Sequence, residues 1–289
     1  MALTINTNIS SLIAQNNLTK ATASLNTAIE RMTTGYKINH AGDNAAGYSI
    51  ARNWETQLGS LDVAADNAAT GADMLTTLED TYTLVTSHLQ RVRDLTEQAA
   101  NGTYGSQSLK AIQSEITARL EEVDRISANC EFNGLKMMDG TLTRDIALQV
   151  GLYGDDDSRI ELKQELFNAA DIQALFSKSV EQVAKDCAGI ADDGTIKGGQ
   201  ADMLKEIDDV INVISGRVTT LGAAQNRIDS AIESIGVQTE NITSSLSTLR
   251  DADIAEESSN YIQAQILQQA AATLLSTANQ TPSIALNLL

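Results

Sequence analysis

The residues best able to do chemistry are few here and badly placed for it. The chain has two histidines, His40 and His88. Neither has a second ligand four residues along, as a zinc-binding helix needs, and no H-E-x-x-H is present. His88 lies beside a helical seam and is expected at the surface. The two cysteines, Cys130 and Cys187, form no ligand or redox motif and read as small packing or surface residues, not a disulfide. Asp155, Asp156 and Asp157 lack the spacing and glycine of a calcium-binding helix–loop–helix, so they are expected to be a solvated turn. No G-x-S-x-G elbow, phosphate loop or G-x-G-x-x-G occurs. The expectation is a protein without catalytic residues, metal or cofactor.

What the sequence offers instead is periodicity. Stepping alternately three and four residues gives Leu204, Ile207, Ile211, Ile214, Val218, Leu221, Gln225, Ile228, Ile232, Ile235, Thr239, Ile242, Leu246 and Leu249, twelve of them apolar. A period of 3.5 held over six heptads marks a helix packed lengthwise against other helices. At about 1.5 Å per residue it would be roughly 69 Å long, which suggests a rod. One proline and 3% aromatic residues also favour long helices over a sandwich or an α/β enzyme core.

Charge is distributed unevenly. The net value of −18 argues against nucleic acid and anionic membrane as partners. Every charged residue lies between Lys20 and Glu257, so residues 1–19 and 258–289 are electrically neutral. The N-terminal stretch lacks the basic start of a cleaved signal peptide. The C-terminal stretch, with Gln263, Gln265, Gln268 and Gln269, is too polar to insert in a membrane. Both ends read as weakly amphipathic helices for neutral partners. Their candidate contact residues are Ile5, Ile9, Leu12, Ile13 and Leu18 at one end. At the other they are Ile254, Tyr261, Ile262, Ile266, Leu267, Leu274 and Leu275.

Between these ends the pattern predicts a helix from Asn6 or Asn8 to Thr34, stopped by Gly35, and a turn-rich break over Tyr36–Asn44. A second helix should run to Ala100 with a seam at Leu75, Leu78, Tyr82, Val85, Leu89 and Val92. Its Gly47, Gly59 and Gly71 would permit close backbone approach. A third, Ser108–Ala128, repeats the seam at Leu109, Ile112, Ile116, Leu120, Val123 and Ile126. Ile146, Leu148 and Val150, then Ile160 and Leu162, alternate as in a β-hairpin within 143–163. Residues 165–200 read as one short helix through Leu166, Leu175, Phe176, Val180 and Val183, then a loop. The fold class is mainly α: an elongated antiparallel helical bundle with one small β-hairpin, its terminal helices paired as a separate coiled-coil segment. Residues 1–42 with 254–289 would form that pair, 43–163 with 201–253 the bundle, and 164–200 a short variable insert.

Six blocks, in order, resemble bacterial flagellin. They are Met1-Ala-Leu-Thr-Ile-Asn-Thr-Asn-Ile-Ser, T-G-Y-K-I-N-H-A-G-D-N-A-A-G, Leu89-Gln-Arg-Val-Arg-Asp-Leu, Glu131-Phe-Asn-Gly-Leu-Lys, Leu221-Gly-Ala-Ala-Gln-Asn-Arg-Ile and Gln263-Ala-Gln-Ile-Leu-Gln-Gln-Ala. The resemblance implies a structural subunit of the extracellular flagellar filament used for swimming, a helical homopolymer whose terminal helices form the inner tube. It implies a minimal member with almost no outer domain. Without a histidine in 164–200, the metalloprotease that some flagellins carry there is not expected. Further implied partners are the type III export apparatus, cap and hook-associated proteins, and an export chaperone on the C-terminal helix. The flagellin-sensing Toll-like receptor would contact Arg91, Leu95 and Glu115, within the segment holding Gln90, Arg93 and Asp94; the family's usual glutamate is Asp94 here. A hook–filament junction protein of the same superfamily is the alternative.

Overall fold

The computed structural model describes residues 8–191 and 195–286, most of them helical. In chain order come α1 (Ile9–Thr34), α2 (Ala45–Ala100), α3 (Ser106–Asn129), β1 (Glu131–Phe132), β2 (Leu135–Lys136), β3 (Ile146–Gln149) and β4 (Arg159–Leu162). Then follow α4 (Ile172–Phe176), α5 (Val180–Ala188), α6 (Gln200–Arg250) and α7 (Ile254–Leu286). Helix ends fall where side chains can satisfy the free backbone groups. Asn8 accepts a hydrogen bond from the Ser11 N–H, and Gly35, at φ +76°, donates its N–H to the Arg31 carbonyl. Asn44 Oδ1 accepts from the Gly47 N–H at 2.9 Å and opens α2.

The chain divides into two compact units, one spanning Gly59–Gln238 and the other joining the segments up to Leu58 and from Thr239. The divisions fall inside α2 and α6, not at the loop breaks near residues 42 and 253. The reason is that the loop after α1 is bound to the end of α6. Lys37 N–H donates to the Arg250 carbonyl (2.7 Å) and Ala252 N–H to the Gly35 carbonyl (2.8 Å). The Arg250 guanidinium bonds Glu55 and lies 4.1 Å from the centre of the Tyr36 ring.

In the Gly59–Gln238 unit the expected seams meet. Leu75, Leu78, Tyr82, Val85, Leu89 and Val92 of α2 and Leu109, Ile112, Ile116, Leu120 and Val123 of α3 are all buried. Arg93 bonded to Asp208 and Gln225 bonded to Glu79 show that α2 and α6 run antiparallel. On α6 one stripe is as expected: Ile207, Ile214, Leu221, Ile228 and Ile235 are buried. The other stripe is one residue off. Met203, Val210 and Ala224 are buried, while Leu204, Ile211 and Val218 are half-buried and Ile232 is 37% exposed. Ile242, Leu246 and Leu249, which belong to the other unit, are half-buried too.

The β3–β4 hairpin has the alternation read from sequence, with Ile146 opposite Leu162 and Leu148 opposite Ile160. It rests on α2 at Gly71, where an added Cβ would lie 2.4 Å from Leu148 Cδ1. Gly47 is similarly crowded by Ile38, whereas Gly59 faces open space, so close approach holds at two of the three glycines. A second hairpin, β1–β2, turns through Asn133 (φ +48°) and Gly134 (φ +81°), the pair that such a tight turn selects.

Residues 164–200 differ most from expectation. Among their described residues are the helices α4 and α5, separated by Ser177 in the left-handed region, and much of the stretch up to Ile190 is buried. Leu166, Phe167, Ile172, Phe176, Val183 and Cys187 join the same buried core as the α2 and α3 seams. Tyr82 donates to the Leu166 carbonyl (3.0 Å), Ile172 N–H to Asp124 (2.7 Å), and Arg217 to the carbonyls of Asn168 and Ala169. A stretch carrying that much apolar surface is driven under cover.

Candidate functional site

The features that single out a functional surface lie on α1 and α7. The two helices pair antiparallel: Thr22 meets Gln268 (3.1 Å) and Arg31 meets Glu257 (3.0 Å), while Asn8 donates to the Ala278 carbonyl (2.7 Å) and Ser11 to Asn279 (2.7 Å). Apart from Glu257, the buried residues between them are small. Ala14, Ala21 and Ala28 recur every seven positions on α1, and Ala264 and Ala271 do the same on α7. Alanine lets the helices approach closely while burying little apolar surface.

The residues expected from sequence to mediate self-assembly mostly lie outside this seam. Ile9, Leu12 (58%), Ile13, Ile254, Ile262, Ile266 (59%), Leu267 and Leu274 (63%) are exposed. Leu18, Tyr261 and Leu275 are half-buried along the flank of the pair, and Ile5 lies outside the described residues. Sequence reasoning missed the alanine seam, although the seven-residue recurrence was there to be read. An open groove lined by these alanines, Asn17, Gln263 and Leu267 runs along the pair. Such a surface offers adhesion.

The implied receptor residues are partly brought together. Arg91 on α2 donates to Glu115 on α3 at 3.0 and 3.1 Å, and both side chains are accessible. Gln90 and Asp94 are exposed beside Arg91. Arg93 instead turns to α6, where it pairs with Asp208 at 2.6 Å and holds that carboxyl below its usual range. Leu95 is 2% exposed and sits in the core.

The remaining candidate groups are structural. Among the described residues no group of three His, Cys, Asp or Glu is placed to hold a metal ion. His40 pairs with Glu30 at 2.7 Å. His88 is half-buried with a buried Nδ1, so the surface expectation was only half right. Both cysteines are free and buried, and burial pushes the Cys187 thiol up to about 11, away from nucleophilic reactivity. Asp155 accepts from the Ser158 hydroxyl in an exposed turn. No helix among the described residues is long and apolar enough to cross a membrane.

A helix pair sealed by alanine, uncharged over residues 9–19 and 258–286 and with large aliphatic residues outside, is the mark of a self-associating structural protein. Comparison gives that class a family. Residues 5–143 match the bacterial flagellin N-terminal helical region and residues 204–289 the C-terminal helical region. The flagellin of Bacillus subtilis strain 168 is 35% identical, with 99% of each chain covered, and that of Xenorhabdus nematophila is 36% identical over the whole of both. The solved structure of FlgL from Bacillus cereus shares the fold (TM-score 0.54, 20% identity), covering 68% of this chain and 99% of that one. The chain belongs to the flagellin family, and its function is that of a flagellar filament subunit.

Proposed function

We propose that α1 and α7 are the polymerisation elements, and that they reach full order only when many copies bury their outer faces. Filament growth requires head-to-tail contacts, because a two-fold interface would close on itself. The observation that carries the reading is the outward set Ile9, Leu12, Ile13, Ile262, Ile266, Leu267 and Leu274, all on the uncharged stretches of the pair. Burying each such side chain contributes about 1.5–3 kcal/mol. Within one chain the pair buries mostly alanine, against an ordering entropy of about 1–2 kcal/mol per residue. That balance favours loose ends on a dilute monomer and ordered ends in the polymer, which keeps the exported monomer soluble.

The same exposed face of α7 suits an export chaperone, and the accessible Arg91–Glu115 pair suits the flagellin-sensing Toll-like receptor. Because Leu95 is buried, receptor contact there would rest on Arg91, Glu115 and their exposed neighbours Gln90 and Asp94.

The test removes residues 258–289. The shortened chain should stay soluble and keep the melting transition of the Gly59–Gln238 unit, yet form no filaments by negative-stain microscopy on seeding. Filaments from the shortened chain would overturn the reading. So would slow amide exchange throughout α1 and α7 in dilute, unassembled protein.

A further inference from the structure

The seam of α7 contains one anomaly. At seven-residue spacing it reads Glu257, Ala264, Ala271 and Ala278, so a glutamate occupies the first position of an alanine repeat. Glu257 is 7% exposed and is the one charged residue that is buried among the described residues. Its Oε1 accepts from Arg31 Nη1 at 3.0 Å, while Arg31 Nε is buried without a hydrogen-bond partner. An imperfectly satisfied ion pair with its carboxylate buried and its guanidinium only partly so is a poor device for stability, since desolvation offsets its attraction. The best-attested use of a lone buried polar contact in a helix pair is to select one alignment over others.

The backbone joins the two strands of chain beside this ion pair, where Ala252 N–H donates to the Gly35 carbonyl and Lys37 N–H to the Arg250 carbonyl. Beyond that junction the seam itself selects no alignment. Alanine recurs every seven residues on both helices, so sliding one past the other by a heptad still sets alanine against alanine. That slip moves Arg31 and Glu257 apart by about 10.5 Å along the axis. Further along the pair, polar contacts from Asn8, Ser11 and Gln268 are hydrogen bonds between neutral groups, two of them near the open end.

We propose that the part-buried Arg31–Glu257 pair, acting with the Gly35–Ala252 junction beside it, holds the register of α1 against α7 and thereby sets which composite aliphatic surface a neighbouring copy meets. The inference rests on the reading that this pair is the polymerisation element. With the register fixed, Leu12 and Ile13 stand at a constant level relative to Ile266 and Leu274, and every subunit presents the same face. Without it, subunits a heptad apart in alignment would present mismatched faces.

Register is read by short-span thiol crosslinking in filaments, with two cysteine pairs in the full-length chain. Ser11→Cys with Asn279→Cys reports the native alignment, and Ser11→Cys with Ala272→Cys reports a one-heptad slip. The parent pairing should crosslink at the native position. Glu257→Ala, which completes the alanine repeat, should lower the native-to-slipped ratio about tenfold or more. Exchanging the charges, Arg31→Glu with Glu257→Arg, should restore it. An unchanged ratio in Glu257→Ala filaments would overturn the proposal while leaving the polymerisation reading intact, because filaments would still have formed through these helices. If Glu257→Ala forms no filaments, the exchanged variant decides: assembly with native crosslinks supports register control, and failure to assemble refutes it. Filaments from the chain lacking residues 258–289 would instead remove the underlying reading.

Discussion

The Gly59–Gln238 unit and the α1–α7 pair are built on the same seven-residue repeat and put it to opposite uses. In the first, the repeat carries Leu, Ile, Val and Tyr82, which point inward and are buried. In the second it carries alanine inward and leaves Ile and Leu outside. One region is finished within a single chain. On the reading proposed above, the other reserves its large apolar side chains for a surface that more copies must supply. Helix periodicity alone therefore does not say whether a coiled-coil element is self-sufficient; the size of the residues on the seam does.

The largest expected effect tests that division. Leu120→Ala, in the buried seam of α3, should destabilise the Gly59–Gln238 unit by about 2–5 kcal/mol, read by chemical denaturation of the monomer. Ile266→Ala removes a residue of similar size from an exposed position. It should change monomer stability by no more than about 0.5 kcal/mol, yet raise the concentration needed for filament growth. If the two variants lost similar monomer stability, the contrast between the regions would collapse.

A smaller effect probes the alanine seam itself. Ala21→Leu places a large side chain where α1 and α7 approach, and overpacking of this kind costs about 1–3 kcal/mol. Seeded growth should slow while the melting transition of the other unit stays where it was. Smaller again is a pair of glycine replacements in α2. Gly59→Ala meets no atom within 4 Å and should raise stability by up to about 1 kcal/mol, the helix-propensity gain. Gly71→Ala has the same gain available but drives its Cβ against Leu148, so it should yield no stabilisation and loosen the β3–β4 hairpin. Equal melting shifts for the two would show that the hairpin does not press on α2.

Much of this was legible in the sequence, for reasons that can be located. The caps at Asn8 and Gly35, the α2 and α3 seams and the alternation of Ile146, Leu148, Ile160 and Leu162 each depend on local chemistry. The second α6 stripe did not, because Met203 and Leu204, and Val210 and Ile211, are adjacent apolar pairs and only the packing partner chooses between them. The alanine seam hid because alanine reads as a helix former, so periodicity in the large residues shows the outer face of the pair and not the seam between its helices. Residues 164–200 hid because their burial depends on distant groups, Tyr82, Asp124 and Arg217. The turn at Asn133-Gly134 was readable and was passed over.

The smallest expected effect separates the two units by pH, through two aspartates perturbed in opposite senses. Asp43, in the unit with α1 and α7, accepts hydrogen bonds from the N–H groups of His40 and Asn39, both at 3.0 Å, and these lower its pKa. Its contribution is present above the unfolded value near 3.9 and is lost as pH falls through the lower folded value. Asp43→Asn should therefore melt below the parent at pH 7, with the deficit closing below about pH 4. Asp124, in the Gly59–Gln238 unit, is raised by partial burial, against the lowering hydrogen bond from the Ile172 N–H. Its sign is reversed: the favourable contribution is complete below the unfolded pKa and disappears as pH rises through the folded one. Asp124→Asn keeps an oxygen for Ile172 and removes the half-buried charge, so it should melt above the parent at pH 7, with the advantage fading on acidification. Melting followed from pH 3 to 8 checks both signs, and shifts in the same direction for the two variants would mean that burial does not govern Asp124.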